Sequence, residues 1–264
     1  MDKSRGSGQG LLRSPTSPPK SPLPSVSAEG KIKVDKLIDQ VDSIVPSDGT
    51  RAQNSFQMWL QEACKDVDTL KYAVERFHHY WLTDRPAVTK AGLFLCSNYM
   101  FEVDGQKLRQ DLLLCLQKDF ENRQEMQAKS PEKFLNAAAF LVEMYTHIRI
   151  EKLPLAFMIT PVFQYLEDLL HGDDAEIELF AHLVVSVGPT LKEAQEGDGH
   201  SSSLTSFDPL QKLFVKVRSV LMSRNLSSQS RLWLLFIMDV SSSGDFELPS
   251  LPLQEFYRNK VRKI

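Results

Sequence analysis

"SPEKFLNAAAFLVEMYTHIRIEKLP", residues 130–154, is the stretch on which the fold turns. Ser130 stands where a helix takes its cap and Pro131 in the first turn, where a missing N–H costs little. Beyond them the segment is apolar on nearly every side, through Phe134, Leu135, Ala137, Ala138, Ala139, Phe140, Leu141, Val142, Met144, Tyr145 and Ile148. At about 3.6 residues per turn, Glu132, Asn136, Glu143 and His147 gather in one narrow polar strip. A surface helix carries a much wider polar face. This one must be covered by neighbours on most sides.

A second helix of the same kind lies at "SQSRLWLLFIMDV", residues 228–240, and ordinary amphipathic helices are interleaved between and before the two. Residues 31–44 (Ile32, Leu37, Val41, Ile44) and 51–64 predict two short ones. The set Leu70, Ala73, Val74, Phe77 and Trp81 follows the helical period, and Asp84 with Pro86 opens a helix to about Phe101. Gly105 precedes a long helix with a face of Leu108, Leu112, Cys115, Leu116 and Phe120. Thr160–Pro161 reads as a cap and first turn, with Gly172 as the stop. Asp174 then caps a helix ending at Gly188, and Asp208 opens one with Leu210, Leu213, Phe214, Val217 and Leu221 on one face. No alternating strand pattern stands out. The predicted fold is all-α, a HEAT/armadillo-like superhelical stack of antiparallel helix pairs, in which inner helices touch their own partner and both neighbouring pairs. Pairs beginning near residues 68, 105, 160 and 208 scatter around the ~40–47-residue period of such repeats.

Composition sets the outer bounds. The chain has 264 residues, and a net charge of −3 argues against general nucleic-acid binding, so any such contact must come from a local patch. Cys64, Cys96 and Cys115 lack the paired spacing of a disulfide framework or zinc site and read as buried thiols of a reducing compartment. No signal peptide opens the chain and no stretch reaches the ~18 apolar residues of a membrane span. The expected compartment is the cytoplasm, with the nucleus as a second. Residues 1–30, rich in Ser, Pro and Gly, read as a disordered tail, and 31–264 as the helical-repeat domain. Within the tail, Ser14, Ser17 and Ser21 each precede a proline, which makes them candidates for proline-directed phosphorylation. Pro15, Pro18 and Lys20 form a tract able to present a polyproline II ridge.

Catalytic signatures are missing from the sequence: no HExxH, GxSxG or Walker loop, and no implied metal or cofactor. His78 and His79 are adjacent and diverge on a helix, so they do not share a metal; His79 reads as exposed. Glu143 and His147, four apart, pair locally rather than as an acid–base dyad. The candidate positions for a partner or RNA are Glu143, His147, Arg149, Lys212, Lys216, Arg258, Lys260 and Arg262.

The opening helix, with Phe140, Leu141, Glu143, Met144 and Tyr145, resembles the signature helix of the middle domain of eukaryotic initiation factor 4G, the MIF4G family. "AEIELFAHLVVSVGPTLKEA" is similar to that family's next signature helix, with Gly188 on its glycine and Leu191 on an apolar position. "SRLWLLFIMDV" is similar to the last, with Arg231 at its start and Asp239 near its end. Both charges sit at helix ends where the macrodipole disfavours them, so each is expected to have a definite partner within the fold. The chain departs from the family pattern at Val142, Ser241 and Phe246. The resemblance is closest to small single-domain translation regulators. It implies a non-catalytic scaffold in mRNA translation or metabolism. The implied partners are initiation factors or a DEAD-box helicase, a stem-loop- or poly(A)-binding protein, and RNA itself; a homodimer is left open. A helical-repeat adaptor in trafficking or signalling, regulated by the Ser-Pro tail, is the second reading.

Overall fold

In the computed structural model, the described residues are 26–44, 49–150, 153–197 and 208–260. The tail serines Ser14, Ser17 and Ser21, and Arg262, lie outside them. The described chain is all-α, with twelve helices: α1 (Ala28–Ser43), α2 (Gly49–Ala63), α3 (Val67–Thr83), α4 (Arg85–Ser97), α5 (Leu108–Glu121), α6 (Arg123–Lys129), α7 (Pro131–His147), α8 (Ile159–Leu170), α9 (Asp174–Gly197), α10 (Pro209–Ser223), α11 (Ser228–Ser242) and α12 (Leu251–Lys260). They form a two-layer stack. One layer runs α1, α3, α5, α8, α10 and the other α2, α4, α7, α9, α11; helices pack across the layers in pairs and along each layer, the α5–α8 step being made by the Phe120 ring against Tyr165. The pair α1–α2 precedes the four pairs expected from the sequence.

α7 explains why its sequence has so little polar face. It packs against α3, α4, α5, α6, α8 and α9. Phe134, Ala137, Ala138, Phe140, Met144 and Tyr145 are all buried. Phe140 stacks on Trp81 of α3, with ring centroids 3.8 Å apart and planes at 10°. Asn136, read as part of the polar strip, is buried too: its Nδ2 donates at 3.1 Å to the carbonyl of Leu82 in the last turn of α3. It thereby supplies a partner to a helix-end carbonyl that α3 itself leaves unpaired. α11, at the end of its layer, packs on α9 and α10, and Leu235 stays 45% exposed.

Several helix limits differ from the sequence reading. α3 begins close to the expected residue 68 and is capped by Asp66, its carboxylate accepting from the Thr69 N–H at 2.7 Å. α8 begins after a short 3-10 turn at Ala156–Met158, so Thr160 lies inside the first turn instead of capping it. Asp173, not Asp174, caps α9, exchanging backbone and side-chain hydrogen bonds with Glu176 in a reciprocal cap. α9 then runs through Gly188 and Pro189 to Gly197. Pro189 removes one intrahelical hydrogen bond, but Thr190 and Leu191 beyond it are buried, and packing carries the helix on.

Two minimal hairpins interrupt the helices. Glu102–Val103 (β1) pairs antiparallel with Gln106–Lys107 (β2), and Arg149–Ile150 (β3) with Leu153–Pro154 (β4). Asp104 and Gly105 both have positive φ and make the two-residue turn of the first. Asp-Gly is a strong sequence signal for such a turn, and α4 stops at Ser97 rather than near Phe101. Tyr99 donates its hydroxyl to the Arg149 carbonyl at 3.1 Å, joining the segments around both hairpins.

Candidate functional site

Three of the positions expected to meet a partner come together at the C-terminal end of α7. His147 Nδ1 lies 2.9 Å from the Glu143 carbonyl and 3.3 Å from its carboxylate, the local pairing that the four-residue spacing implies. Arg149, just past the helix, donates to the Tyr145 carbonyl at 3.1 Å and reaches Thr190 Oγ1 (3.3 Å) and Glu193 (3.4 Å) on α9. Lys192, the residue before Glu193, donates to the Gly244 carbonyl in the loop after α11. On the other side, Gly92 of α4 faces Glu143: a Cβ there would lie 3.0 Å from that of Glu143. A polar seam thus crosses one layer of the stack from α4 through α7 and α9 to the loop after α11.

Glu143 is the half-buried member of this seam. Burial holds its carboxyl above the usual carboxylate range, with the neighbouring His147 charge acting in the opposite direction. A carboxyl with a raised pKa binds its proton more tightly in the folded state, so its contribution to stability falls as pH rises between the unfolded and folded values. Glu143→Gln should therefore gain stability relative to the natural chain as pH rises from ~4 towards neutral, read by urea denaturation at several pH values. A difference independent of pH would contradict the assignment.

The remaining basic candidates lie elsewhere. Lys212 and Lys216 sit on the exposed side of α10 in the other layer, and Lys216 forms an ion pair with Glu167 of α8 at 2.5 Å. Arg258 and Lys260 are exposed on α12. The seven of these positions that are described therefore do not make one patch.

Of the signature residues, Phe140, Tyr145, Gly188 and Asp239 are engaged within the fold. Tyr145 is buried, and burial pushes its phenol up to about 12. Asp239 accepts a hydrogen bond from the Tyr257 hydroxyl of α12 at 2.6 Å, the partner its unfavourable helix end called for. Arg231 differs from expectation: it is exposed, with no side-chain partner among the described residues. The most consequential contact was hidden by the sequence departure at Phe246. Its ring is buried directly over Gly188, where a Cβ would come within 2.1 Å of it. Phe246 holds φ of 59°, uncommon for an aromatic residue. Burial of the ring in the Gly188 notch, near Phe214 at 6.4 Å, offsets that strain. Gly188→Ala is expected to cost about 1–3 kcal/mol through overpacking. In a double-mutant cycle with Phe246→Ala, the combined loss should fall short of the sum by about 1 kcal/mol or more. Simple additivity would rule out the contact.

No family model matches the chain. It is 30% identical over 149 residues to the CBP80/20-dependent translation initiation factor of Xenopus tropicalis, covering 55% of this chain and 26% of that protein. It is 26% identical over 141 residues to MIF4G domain-containing protein A of Danio rerio, covering 52% and 60%, respectively. MIF4G domain-containing protein B of Danio rerio is 23% identical over 165 residues, covering 61% and 68%. The chain is homologous to MIF4G-domain proteins at low identity. It spans less than two thirds of the length of the first two relatives.

Among the described residues no cluster of three or more His, Cys, Asp or Glu is placed to hold a metal ion. The cysteines are free, and burial pushes the thiols of Cys64 and Cys115 up to about 12 and raises that of Cys96, leaving them protonated and unreactive near neutral pH. No helix among the described residues is long and apolar enough to cross a membrane.

Proposed function

We propose that this protein is a cytoplasmic scaffold of mRNA translation that bridges a messenger-bound protein to the initiation machinery. The observation that carries the reading is the similarity, over more than half the chain, to a protein named as a translation initiation factor. The geometry supports it. A stack of packed helix pairs with side chains projecting from one layer suits protein binding over an extended surface. The polar seam of Glu143, His147, Arg149 and Glu193 lies on such a layer. The partners that fit are initiation factors or a DEAD-box helicase on one side and a stem-loop- or poly(A)-binding protein on the other, with RNA itself as a further ligand.

The test is capture with the tagged full-length chain from RNase-treated lysate, read by mass spectrometry. Initiation factors or cap- or 3′-end-bound messenger proteins are expected, with recovery reduced by Arg149→Glu. Recovery of membrane-coat or SH3 proteins in their place would overturn the reading in favour of a trafficking or signalling adaptor.

A further inference from the structure

The α1–α2 pair closes one end of the described stack, and among its polar outer residues stand exposed apolar side chains. α2 packs on α1 and α4, burying Phe56 and Leu60, while Met58 is 68% exposed on its other side and Ile32 of α1 69% exposed. Between the two helices runs an open groove of about 420 Å³. Ile32, Trp59 and Ala63 supply its apolar surface, Glu29, Lys33 and Glu62 its charged rim at one end, and Lys36 and Gln40 its lining towards the other. Glu29 and Lys33 form an ion pair at 2.6 Å; the Glu62 carboxylate lies within electrostatic reach of the same lysine. An end repeat of a helical stack normally presents a polar outer face. Here an indole with one open side lies beside acidic groups, the chemistry by which grooves receive polyproline II segments, whose preformed backbone loses little entropy on binding.

The chain itself carries such a segment immediately before α1. We propose that Pro15–Lys20 of the same chain, "PTSPPK", docks in this groove as a polyproline II strand lying antiparallel to α1. Length, charge and direction all agree. The groove follows α1 from Glu29 to Gln40, about 16 Å at the helical rise. Six residues of polyproline II cover about 16–19 Å. The chain enters α1 at Val26, against Gly30 on the side of Thr69. Residues 21–26 extend to about 20 Å, enough to round a helix about 10 Å across. Entry at the first turn of α1 brings Lys20 to the Glu29 and Glu62 end and carries the prolines over Ile32 and Trp59. The dock ties the Ser-Pro sites to the folded stack, and it covers the exposed end.

Trp59 reports on its own occupancy, because Trp81 and Trp233 are buried. In the full-length chain, Pro15→Ser with Pro18→Ser should shift tryptophan emission to the red and raise its quenching by acrylamide, without touching the stack. Conversely, Trp59→Ala should speed tryptic cleavage after Lys20 about fivefold, since proteolysis tracks the population of the released segment; circular dichroism confirms that the helices persist. If neither substitution moves its readout, the tail does not occupy the groove. If both effects vanish on dilution, the occupant is the tail of a second copy, and docking within one chain is overturned.

Discussion

Phe140→Ala is expected to lower the unfolding free energy by about 4 kcal/mol, within the usual range for emptying a buried aromatic site. Phe140 is fully buried on α7, and its ring lies flat on Trp81 of α3, so truncation removes apolar burial and the aromatic stack together. α3 and α7 belong to different layers, and this contact is one of those that clamp the layers face to face. For a domain of this size each kcal/mol shifts the melting temperature by about 2–4 °C, so a fall of roughly 10 °C should be seen by calorimetry. Phe140→Leu keeps most of the volume and should cost less than half as much. If alanine and leucine were equally tolerated, the stack would not be what holds α7 to α3.

His78→Leu is expected to cost about 3 kcal/mol, the scale on which stranding a buried carboxylate without its hydrogen-bond partner destabilises a protein. His78 Nε2 lies 2.8 and 2.9 Å from the two carboxylate oxygens of Asp119, whose side chain is only 5% exposed. Removing the imidazole leaves that carboxylate between α3 and α5 without its hydrogen-bond donor. His78→Leu combined with Asp119→Leu removes both ends and should recover part of the loss, because an apolar pair of similar volume is often nearly neutral at such a site. Equilibrium unfolding of the two single variants and the double variant decides the matter. A double variant no more stable than His78→Leu would place the cost in packing rather than in the stranded carboxylate.

These two residues mark how far the sequence could be read. His79 was legible as exposed, which it is, and the sequence said of His78 only that it diverges from that neighbour. What the sequence did not show was that an aspartate 41 residues away would be its partner. Asn136 behaved the same way. Its helical phase put it in the polar strip of α7, but the carbonyl it satisfies belongs to Leu82, 54 residues earlier. The Phe246 contact was hidden for another reason: a residue in a loop after a helix has no periodicity, so nothing in its neighbourhood announced that its ring would fill the notch over Gly188. The hairpin at Asp104–Gly105 was legible and was missed, because two-residue strands are too short to alternate.

By itself the sequence determined that this chain is helical, that its helices pair, that Leu70, Ala73, Val74, Phe77 and Trp81 turn inward, and that α7 is an inner helix. All of these follow from the helical period and from which faces are apolar, and both are local properties. The tertiary structure alone decided which polar groups meet: His78 with Asp119, Asn136 with Leu82, Arg149 with Thr190 and Glu193, Tyr257 with Asp239. Each pairing depends on how one helix slides and turns against another. Hydrophobic burial is non-directional and leaves that register open; the packed layers set it, through small-residue approaches such as Gly92 to Glu143 and Gly188 to Phe246.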